Sequence, residues 1–446
     1  MITVTPCAKI NLGLNITERR ADGYHNLETV FYPVPIFDTI TIRENGTEQN
    51  SCTLTVEGIK IEGNMQNNLV VKAYQTLARK KTLPGVEITL KKNIPTQAGM
   101  GGGSADCAYT MVALNKMFDL GFSDEELADM AASLGADCAF FVMSEPCYAE
   151  GIGDKMNNVN LSLQGWWIMV VKPEVSISTK EAFAGIKSER PQYNCKDIVE
   201  NEPIERWKDL LKNDFEKNIF KLHPSLAKIK DLLYEEGASY AAMSGSGSAM
   251  YGLFKNKPIP LKLNNCRVEV VEMSGITEKF PIVNEKGKCV GFTTRSYAHS
   301  GARPLHPVVH LHVFNSKGEL YLQKRPIWKD IQPGKWDTAV GGHVDYGESI
   351  VEALKRETKE EIGITEFMFE KIGCYVFESN IEKELVNVFK TTYDKPLHPS
   401  ATELDGGRFF SEEEIKEYIG KGLFTPNFEK EWLRFFLNED FKKNKQ

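Results

Sequence analysis

The chain alternates short runs rich in β-branched and aromatic residues with longer stretches in which apolar residues recur at helical spacing. This pattern predicts strands at residues 39–43, 53–56, 86–90, 167–171 and 249–254, and helices at residues 69–80 and 124–134. No internal repeat and no low-complexity tract interrupts the pattern. The first part of the chain therefore mixes short strands with helices.

A new pattern of strands begins after two breaks in the sequence. Residues 255–260 hold two prolines and residues 273–275 end in Gly275, and these are the strongest boundary signals in the chain. Residues 280–292 then have the pattern of strand, turn and strand. A chain of 446 residues is too long for one ordinary core. We therefore predict one domain over residues 1–274 and a second over residues 275–446.

A glycine-rich loop at residues 94–108 is the most informative motif. Its glycines are Gly99, Gly101, Gly102 and Gly103. Glycine lets the backbone approach a ligand closely, and the helical pattern that follows predicts a cap at Ser104 or Asp106. A helix that begins at such a loop directs unpaired N–H groups and a partial positive charge at the loop's occupant, which favours phosphate. A tight turn before a buried helix is the alternative for this motif taken alone.

Four further features accompany the loop. Lys9 and Asn11 lie two apart in an apolar, strand-like run, so both side chains face the same way. Tyr24 begins an aromatic and imidazole pair on a turn, and Asp137 lies between a helix end and an apolar run. A second glycine–serine loop around Gly245 leads into a strand. Taken singly, a strand lysine usually reaches solvent and an aspartate after Gly-Ala is usually a turn residue.

Taken together, these motifs resemble the GHMP kinases over roughly residues 2–272, which implies a two-lobed α+β fold with a deep cleft. Within the family they look like the branch that phosphorylates the 2-hydroxyl of a cytidine-diphosphate-linked methylerythritol in non-mevalonate isoprenoid synthesis. The resemblance assigns to the ATP phosphates Pro95, Thr96, Gln97, Ala98, Gly99, Met100, Gly101, Gly102, Gly103 and Ser104. It places a second loop near the transferred phosphate, namely Gly245, Ser246 and Gly247.

The resemblance also implies the reacting groups. Asp137 would take the proton of the substrate hydroxyl, and Lys9 would keep it ionised while Mg²⁺ bridges the phosphates. The implied substrate contacts are Asn11, Tyr24 stacked on cytosine, His25 on its edge and Phe183 on the opposite face. The sequence departs from the family at Gln97-Ala98 and at Cys138-Ala139, but neither change removes a reacting group. Another small-molecule kinase of the GHMP family is the alternative.

The second part of the chain carries an acidic helix motif. The apolar stripe of this helix runs through Ile350, Ala353, Leu354 and Ile362. Three carboxylates at i, i+3 and i+4 crowd one face, and a bound Mg²⁺ would relieve their repulsion. A solvated acidic face is the common alternative, but it does not explain the fixed spacing of the whole set. That set is Gly342, Glu348, Arg356, Glu357, Glu360 and Glu361.

This set resembles the Nudix box, complete except that Thr358 stands at a normally aliphatic position. The Nudix family, an α/β/α fold, cleaves nucleoside diphosphate derivatives and other diphosphates. The resemblance implies that Glu357, Glu360 and Glu361 hold a metal that activates water and clamps the diphosphate. We accordingly expect ATP and Mg²⁺ for the first domain and a metal for the second.

Other residues look like the metal-binding elements of the type 1 isopentenyl-diphosphate isomerases. The implied ligands, suited to Zn²⁺ or Mn²⁺, are His299, His306, His343, Glu382 and Glu384. The position of the isomerase catalytic cysteine is Gly341, and its carboxyl-terminal tryptophan aligns loosely with Asn427. His310 and His312 match no ligand position and are interpreted as strand residues. We therefore place diphosphate hydrolysis first, isomerisation second and a non-catalytic diphosphate-binding module third.

Composition limits the partners of the chain. A net charge of −7 and a pI near 5.8 argue against a general nucleic-acid binder. Nine scattered cysteines without a Cys-x-x-Cys pair indicate a reducing compartment, and the start lacks a signal-peptide pattern. The longest purely apolar run, residues 166–171, is too short to span a bilayer. We expect a cytoplasmic enzyme with small-molecule partners, and the sequence leaves its oligomeric state open.

Overall fold

The structure is a computed structural model that describes residues 1–46, 48–61, 63–327, 332–400 and 403–437. The chain divides into two compact units. The amino-terminal unit comprises Met1–Glu278 and Thr294–Tyr297. The carboxyl-terminal unit comprises Lys279–Thr293 and the described residues from Ala298 onward. The sequence boundary at Gly275 stays a prediction, and it lies within four residues of this division.

The amino-terminal unit interleaves strands and helices. Its strands are β1 (Ile2–Val4), β2 (Cys7–Arg19), β3 (His25–Phe37), β4 (Thr39–Glu44), β5 (Cys52–Gly58), β6 (Val86–Lys92), β7 (Cys147–Gly151), β8 (Lys155–Asn158), β9 (Trp167–Pro173), β10 (Tyr240–Met243), β11 (Met250–Phe254) and β12 (Cys266–Glu272). Its helices are α1 (Leu69–Ala78), α2 (Gly102–Met117), α3 (Asp124–Ala132), α4 (Phe140–Met143), α5 (Thr179–Phe183), α6 (Cys195–Asn201), α7 (Ile204–Leu210), α8 (Glu216–Leu222), α9 (Pro224–Glu235) and the short α10 (Arg295–Tyr297). Short 3-10 turns lie at Met65–Asn67 and Ala136–Cys138.

Three groups of paired strands form the frame of this unit. In the first, β4 pairs antiparallel with β1 and β6, and β5 pairs parallel with β6. In the second, the order is β10-β11-β9-β12 and all pairs are antiparallel. In the third, the long hairpin β2-β3 continues through β7 to β8. The apolar residues of β2 and β9 are buried together in the cores, which is why these strands are nearly continuous hydrophobic runs.

The hydrophobic pattern predicted these elements correctly, with the ends moved by a few residues. The predicted helix at residues 69–80 is α1, and the predicted strands at 39–43 and 86–90 are β4 and β6. The predicted cap of α2 is wrong. The helix begins one turn earlier than a Ser104 or Asp106 cap requires, because Gly101 takes a left-handed conformation (φ 70°) that no side chain caps.

The two glycine loops of this unit lie backbone against backbone. Ala249 N donates to Ala98 O at 3.1 Å, and Ser244 Oγ donates to Gly99 O at 2.8 Å. A Cβ atom at Gly99 would lie 1.9 Å from Ser244 O, and the residue has a φ of +72°. The loops can meet only because position 99 has no side chain.

The carboxyl-terminal unit is built around one mixed sheet. Its strands are β13 (Lys279–Val283), β14 (Cys289–Thr294), β15 (Leu305–Phe314), β16 (Leu320–Lys324), β17 (Trp336–Thr338), β18 (Val340–His343), β19 (Glu370–Glu378), β20 (Lys383–Thr392) and β21 (Gly407–Phe410). Its helices are α11 (Ile350–Ile362), α12 (Glu412–Tyr418) and α13 (Pro426–Trp432), with π-helical turns at Ala298–Ala302 and Leu433–Leu437. The strand order is β17-β16-β15-β20-β19, while β18 also pairs with β15 and β21 with β16.

The central strand β15 separates two environments. Val309, Leu311 and Val313 pack in one core with Ala353 and Leu354 of α11. The alternate residues of β15 face the other way, because successive side chains of a strand point to opposite faces. On that face lie Val308, in a smaller cluster, and the three histidines of the strand. Among the described helices of the chain, none has the length and apolar character needed to cross a bilayer.

We predict that Gly99→Ala lowers the free energy of unfolding by more than about 2 kcal/mol, since it adds left-handed strain to an overlap with Ser244 O. Gly103→Ala is the matched control, because the nearest atom to its Cβ would be Leu69 Cδ1 at 3.8 Å. Urea unfolding of the two variants measures the difference. Equal free energies of unfolding for Gly99→Ala and Gly103→Ala would contradict the steric constraint at position 99.

Candidate active sites

Lys9 and Asp137 lie together in the amino-terminal unit. Lys9 Nζ is 3.2 Å from Asp137 Oδ2 and donates to Asn11 Oδ1 at 2.5 Å. The lysine side chain is buried, and its ammonium group lies 4.8 Å from the centre of the Phe31 ring. These contacts hold the Lys9 ammonium group in one position, because a buried ammonium group is stabilised by hydrogen-bond acceptors and by the face of an aromatic ring. The two residues predicted as catalytic and the predicted substrate contact Asn11 therefore form one cluster.

Local structure explains how this cluster forms. Lys9 belongs to β2, and its backbone N–H donates to Met100 O at 3.0 Å, which joins the strand to the glycine loop. Asp137 lies in the 3-10 turn Ala136–Cys138, and its side chain is 34% exposed rather than buried. A carboxylate that is both ion-paired and open to solvent can accept a proton from a bound alcohol.

A cleft of about 550 Å³ opens beside the glycine loop. Its lining includes the whole predicted phosphate loop, residues 95–104. The amino end of α2 points to the loop without a side-chain cap, so its first N–H groups can bind an anion. The segment 63–69, rich in asparagine, lines the same cleft and was missed by sequence reasoning. Its signal, polar residues just before a helix, is common to many helix caps and is therefore weak.

A buried charge cluster lies under this cleft. Lys92 Nζ bonds to Asp38 and donates to Asp106 Oδ2 at 2.7 Å, and all three side chains are buried. In the part of the chain that the structure describes, Asp106 Oδ1 is buried without a hydrogen-bond partner. Burial, which disfavours the charged form, raises the pKa of Asp106 to about 8 in spite of the attraction of Lys92. Sequence reasoning missed this cluster because its members are distant along the chain.

The second glycine loop joins β10 to β11. Asn213, another residue that the sequence did not reveal, donates from Nδ2 to Met243 O and to Gly245 O, both at 2.8 Å. A Cβ atom at Gly245 would lie 3.3 Å from Asn11 Oδ1. This loop therefore reaches the Lys9 cluster. A smaller cleft of about 440 Å³ is lined by Ser246 and Gly247 together with Gln97.

The predicted pyrimidine contacts are only partly assembled. The rings of His25 and Phe183 stack with centroids 5.0 Å apart and an interplanar angle of 21°. Phe215 packs edge-on against Phe183, with ring centroids 4.9 Å apart. Tyr24 lies in the turn before β3 and is 65% exposed. The structure thus brings His25 and Phe183 together, whereas stacking by Tyr24 stays a prediction.

In the carboxyl-terminal unit, Arg356 organises the acidic helix. Its guanidinium group binds Glu348 in bidentate fashion at 2.9 and 3.0 Å and Glu357 Oε1 at 2.8 Å. It also donates to His343 O at 3.0 Å. Planar guanidinium pairs of this kind fix geometry as well as charge. Arg356 thereby locks the loop 343–348 onto α11.

Two glutamates of α11 contact strand β18 at glycine positions, where no side chain stands in the way. A Cβ atom at Gly342 would lie 2.0 Å from Glu357 Cδ, and Glu361 Oε2 accepts from Gly341 N at 3.0 Å. Burial raises the pKa of Glu357 in spite of the opposing charge of Arg356. The third predicted ligand, Glu360, is more exposed and lies 3.3 Å from Arg356. Thr358 is buried and donates to Leu354 O at 2.6 Å, so its hydroxyl is satisfied at an apolar position.

Three of the predicted metal ligands converge on one point. The ligand nitrogens of His299, His306 and His343 lie within 4.8 Å of one another, and His299 Nε2 is 3.2 Å from His343 Nε2. Phe280 stacks on His343 with centroids 4.4 Å apart, which fixes that ring. Strand pairing explains the convergence, since His343 lies opposite Val308 on the neighbouring strand β15.

Both predicted carboxylate ligands lie beside these histidines. Glu384 lies opposite His306 in the parallel pairing of β15 with β20. Glu382 Oε2 is 3.5 Å from His299 Nε2. Glu384 is buried, and its Oε2 has no hydrogen-bond partner among the described residues, which suits an oxygen that ligates a cation. A set of three imidazoles and two carboxylates fits a first-row transition metal such as Mn²⁺ or Zn²⁺.

Comparison with known proteins places both units. Residues 68–145 match the GHMP kinases N terminal domain and residues 196–261 the GHMP kinases C terminal domain. The chain is 51% identical over 254 residues to the 4-diphosphocytidyl-2-C-methyl-D-erythritol kinase of Bacteroides fragilis, covering 57% of this chain and 92% of the relative. The chain belongs to the GHMP kinase family. This GHMP kinase also has a NUDIX domain at residues 304–428.

Two further comparisons concern the same part of this GHMP kinase. The 4-diphosphocytidyl-2-C-methyl-D-erythritol kinase of Bacteroides thetaiotaomicron is 50% identical over 255 residues, which is 57% of this chain and 92% of the relative. A crystal structure of 4-(cytidine 5'-diphospho)-2C-methyl-D-erythritol kinase is 30% identical with a TM-score of 0.48, covering 56% of this chain and 90% of that chain. The predicted fold, a GHMP kinase followed by a Nudix domain, is confirmed. The isomerase resemblance stays a prediction.

We predict that Asp106→Asn flattens the pH dependence of stability. The raised pKa means that folded Asp106 keeps a proton that the unfolded chain releases near its ordinary value of 3.8. Stability therefore falls as pH rises from that value through about 8, and the amide removes this fall. Thermal unfolding at about pH 6 and about pH 9 measures it. Asp231→Asn, on the exposed side of α9, should keep the wild-type slope, and equal slopes in all three proteins would refute the assignment.

Proposed function

We propose that the amino-terminal unit transfers the γ-phosphoryl group of ATP to the 2-hydroxyl of 4-diphosphocytidyl-2-C-methyl-D-erythritol. The identity of 51% to a kinase of that name is the observation that carries the proposal. The Lys9 and Asp137 pair at 3.2 Å supports the chemistry. The reaction belongs to non-mevalonate isoprenoid synthesis.

In this mechanism Asp137 accepts the hydroxyl proton as the alcohol oxygen attacks the γ-phosphorus. The bond from that phosphorus to the β,γ-bridging oxygen breaks, its electron pair stays on that oxygen, and ADP leaves. Lys9 keeps Asp137 ionised and stabilises the charge that develops on the transferred group. The loop at residues 95–104 and the amino end of α2 bind the phosphate oxygens through backbone N–H groups. Mg²⁺ bound to ATP would supply neutralisation of the phosphate charge, and the protein contributes mainly position. Gly245, Ser246 and Gly247 close the cleft near the transferred phosphoryl group.

Asn11, Tyr24, His25 and Phe183 are the proposed contacts of the cytidine-linked substrate. The stacked pair of His25 and Phe183 supplies an aromatic surface for a pyrimidine. Competition by cytidine diphosphate, but not by mevalonate or a sugar, would separate this substrate from those of other GHMP kinases.

We predict that Asp137→Asn lowers kcat at least ~100-fold while ATP binding is unchanged, as expected for loss of a general base. Transfer of labelled phosphate measures turnover, and calorimetry measures nucleotide affinity. The control is Asp129→Asn, an exposed aspartate of α3 that should keep full activity. Near-normal turnover in Asp137→Asn would exclude its role as base.

For the carboxyl-terminal unit we propose hydrolysis of a diphosphate. The Nudix match and the carboxylates of α11 support it: Glu357, Glu360 and Glu361 would hold Mg²⁺, which supplies charge neutralisation at the diphosphate. The second metal set would hold Mn²⁺ or Zn²⁺ at His299, His306, His343, Glu382 and Glu384. Isomerisation ranks second because Gly341 offers no acid or base where the isomerases carry cysteine. A non-catalytic diphosphate-binding module ranks third.

A panel of diphosphates with Mg²⁺ tests this order. Release of phosphate supports a hydrolase, and an allylic isomer supports an isomerase. Thermal stabilisation by a diphosphate without any product supports a binding module.

We predict that Mn²⁺ or Zn²⁺ at about 100 times its Kd stabilises the carboxyl-terminal unit by about 2.7 kcal/mol, because ligands bind the folded state. His306→Asn should remove most of this stabilisation, since His306 is buried at the centre of the cluster. His398→Asn, which alters an exposed histidine, should retain it. Calorimetric scans with and without metal measure the effect, and an unchanged response of His306→Asn would exclude the site.

A further inference from the structure

A buried hydrogen-bonded cluster lies on the same face of β15 as the metal-site histidine His306. His310 Nδ1 is 2.7 Å from Glu431 Oε1, and His312 Nε2 is 2.8 Å from Glu431 Oε2. Tyr375 donates its hydroxyl to Glu431 Oε1 at 2.8 Å. Glu431 comes from α13 and is completely buried. One carboxylate thus orients two imidazole rings.

Only one of these two rings has access to solvent. The His310 side chain is 11% exposed, whereas that of His312 is 0% exposed. Gly341, which is exposed, lies opposite His310 on β18. A Cβ atom at Gly341 would lie 3.5 Å from His310 Nε2. The absent side chain at position 341 therefore leaves the Nε2 edge of His310 open.

This opening lies beside strand β18, which contacts both sets of proposed metal ligands. Gly341 N donates to Glu361 of α11, and His343, two residues further along β18, belongs to the histidine cluster. The ring of His310 therefore lies next to the strand that joins the two sets of proposed metal ligands.

The surroundings of His310 favour its protonated form. Burial alone lowers the pKa of His310, but the charge and hydrogen bond of Glu431 outweigh it and raise the pKa to about 9. Glu384 of β20 and Asp337 of β17 add to the attraction. The remaining ionisable groups of the cluster are His312 of β15 and Tyr375 of β19. The imidazolium donates Nδ1–H to Glu431, which leaves Nε2–H directed to the open edge.

We propose that His310 is the general acid of the Nudix site and that Glu431 is its positioning residue. This inference rests on the proposed hydrolysis of a diphosphate. Water attacks one phosphorus, the bond from that phosphorus to the bridging oxygen breaks, and the electron pair stays on the bridging oxygen. That oxygen takes the proton of His310 Nε2, the attacking water loses a proton to solvent, and solvent then reprotonates the ring. Donation to a leaving oxygen is the step that a positioned imidazolium performs well.

A purely structural ion pair between α13 and the sheet is the competing explanation. His312 provides the matched comparison, because it shares the strand, the face and the carboxylate with His310 but is closed to solvent. Loss of packing should affect both variants, whereas loss of acid catalysis should affect only one.

The test compares the full chain with His310→Asn and His312→Gln, substitutions that keep an amide donor near Glu431. With cytidine diphosphate and Mg²⁺ as the probe, we expect His310→Asn to lower kcat at least ~100-fold with KM nearly unchanged. His312→Gln should lose less than about threefold. The wild-type rate should fall above about pH 9, where His310 loses its proton, and His310→Asn should lack this limb. Equal losses in the two variants, or an unchanged limb, would overturn the proposal.

A second readout does not need turnover. With ¹⁵N-labelled histidine, addition of methylene diphosphonate and Mg²⁺ should shift the Nε2 resonance of His310 and leave that of His312 in place. Gly341→Val, which would cover the open edge while keeping the ring, should abolish the shift. An unmoved His310 signal in wild type would overturn the inference. If wild type hydrolyses no diphosphate, the proposed hydrolase fails, and this shift still decides whether His310 meets a diphosphate.

Discussion

The close approach of two glycine loops is the constraint on which the amino-terminal unit depends. Gly99 lies against Ser244 O with no room for a Cβ atom, and this contact sets where the predicted phosphate loop, residues 95–104, runs. From that fixed loop, Met100 O accepts the backbone N–H of Lys9, and α2 begins at the next turn. Lys9, the proposed reacting lysine, and the helix end proposed to bind phosphate are therefore positioned by the same backbone. Asn213 extends this arrangement by holding the second loop through two backbone carbonyls.

The carboxyl-terminal unit uses the two faces of one sheet for different purposes. The odd-numbered residues of β15 form the core under α11, and the even-numbered ones carry the polar chemistry. Pairing with β18 and β20 then brings His343 and Glu384 beside His306, although they are distant in sequence. Because successive side chains of a strand point to opposite faces, neighbouring residues of β15 belong to an apolar core on one face and to a site of imidazoles and carboxylates on the other. Arg356 adds the link between the sheet loop and the acidic helix.

Sequence reasoning recovered what local pattern encodes. The strands, α1 and the spacing of the Nudix glutamates follow from periodicity. Three of the predicted metal ligands, His306, His343 and Glu384, lie together because they sit on paired strands, and His299 and Glu382 lie just outside strands, 3.5 Å apart. It failed where partners are far apart in sequence. His310 and His312 were interpreted as plain strand residues because Glu431 lies about 120 positions away, on a helix whose packing no local pattern predicts. Asp38, Lys92 and Asp106 were missed for the same reason.

The bare amino end of α2 has a further consequence. Gly101 is left-handed and makes no side-chain cap, so within the described residues the first N–H groups of this helix are open to an anion. A nucleotide phosphate would take over the role that serine plays at the start of α3 and α11. Nucleotide binding would then also order the first turn of the helix. The amides of residues 102–104 should exchange hydrogen quickly in the empty protein and become protected as nucleotide concentration rises. Hydrogen exchange in the first turn of α2 would therefore measure how much of the protein has nucleotide bound.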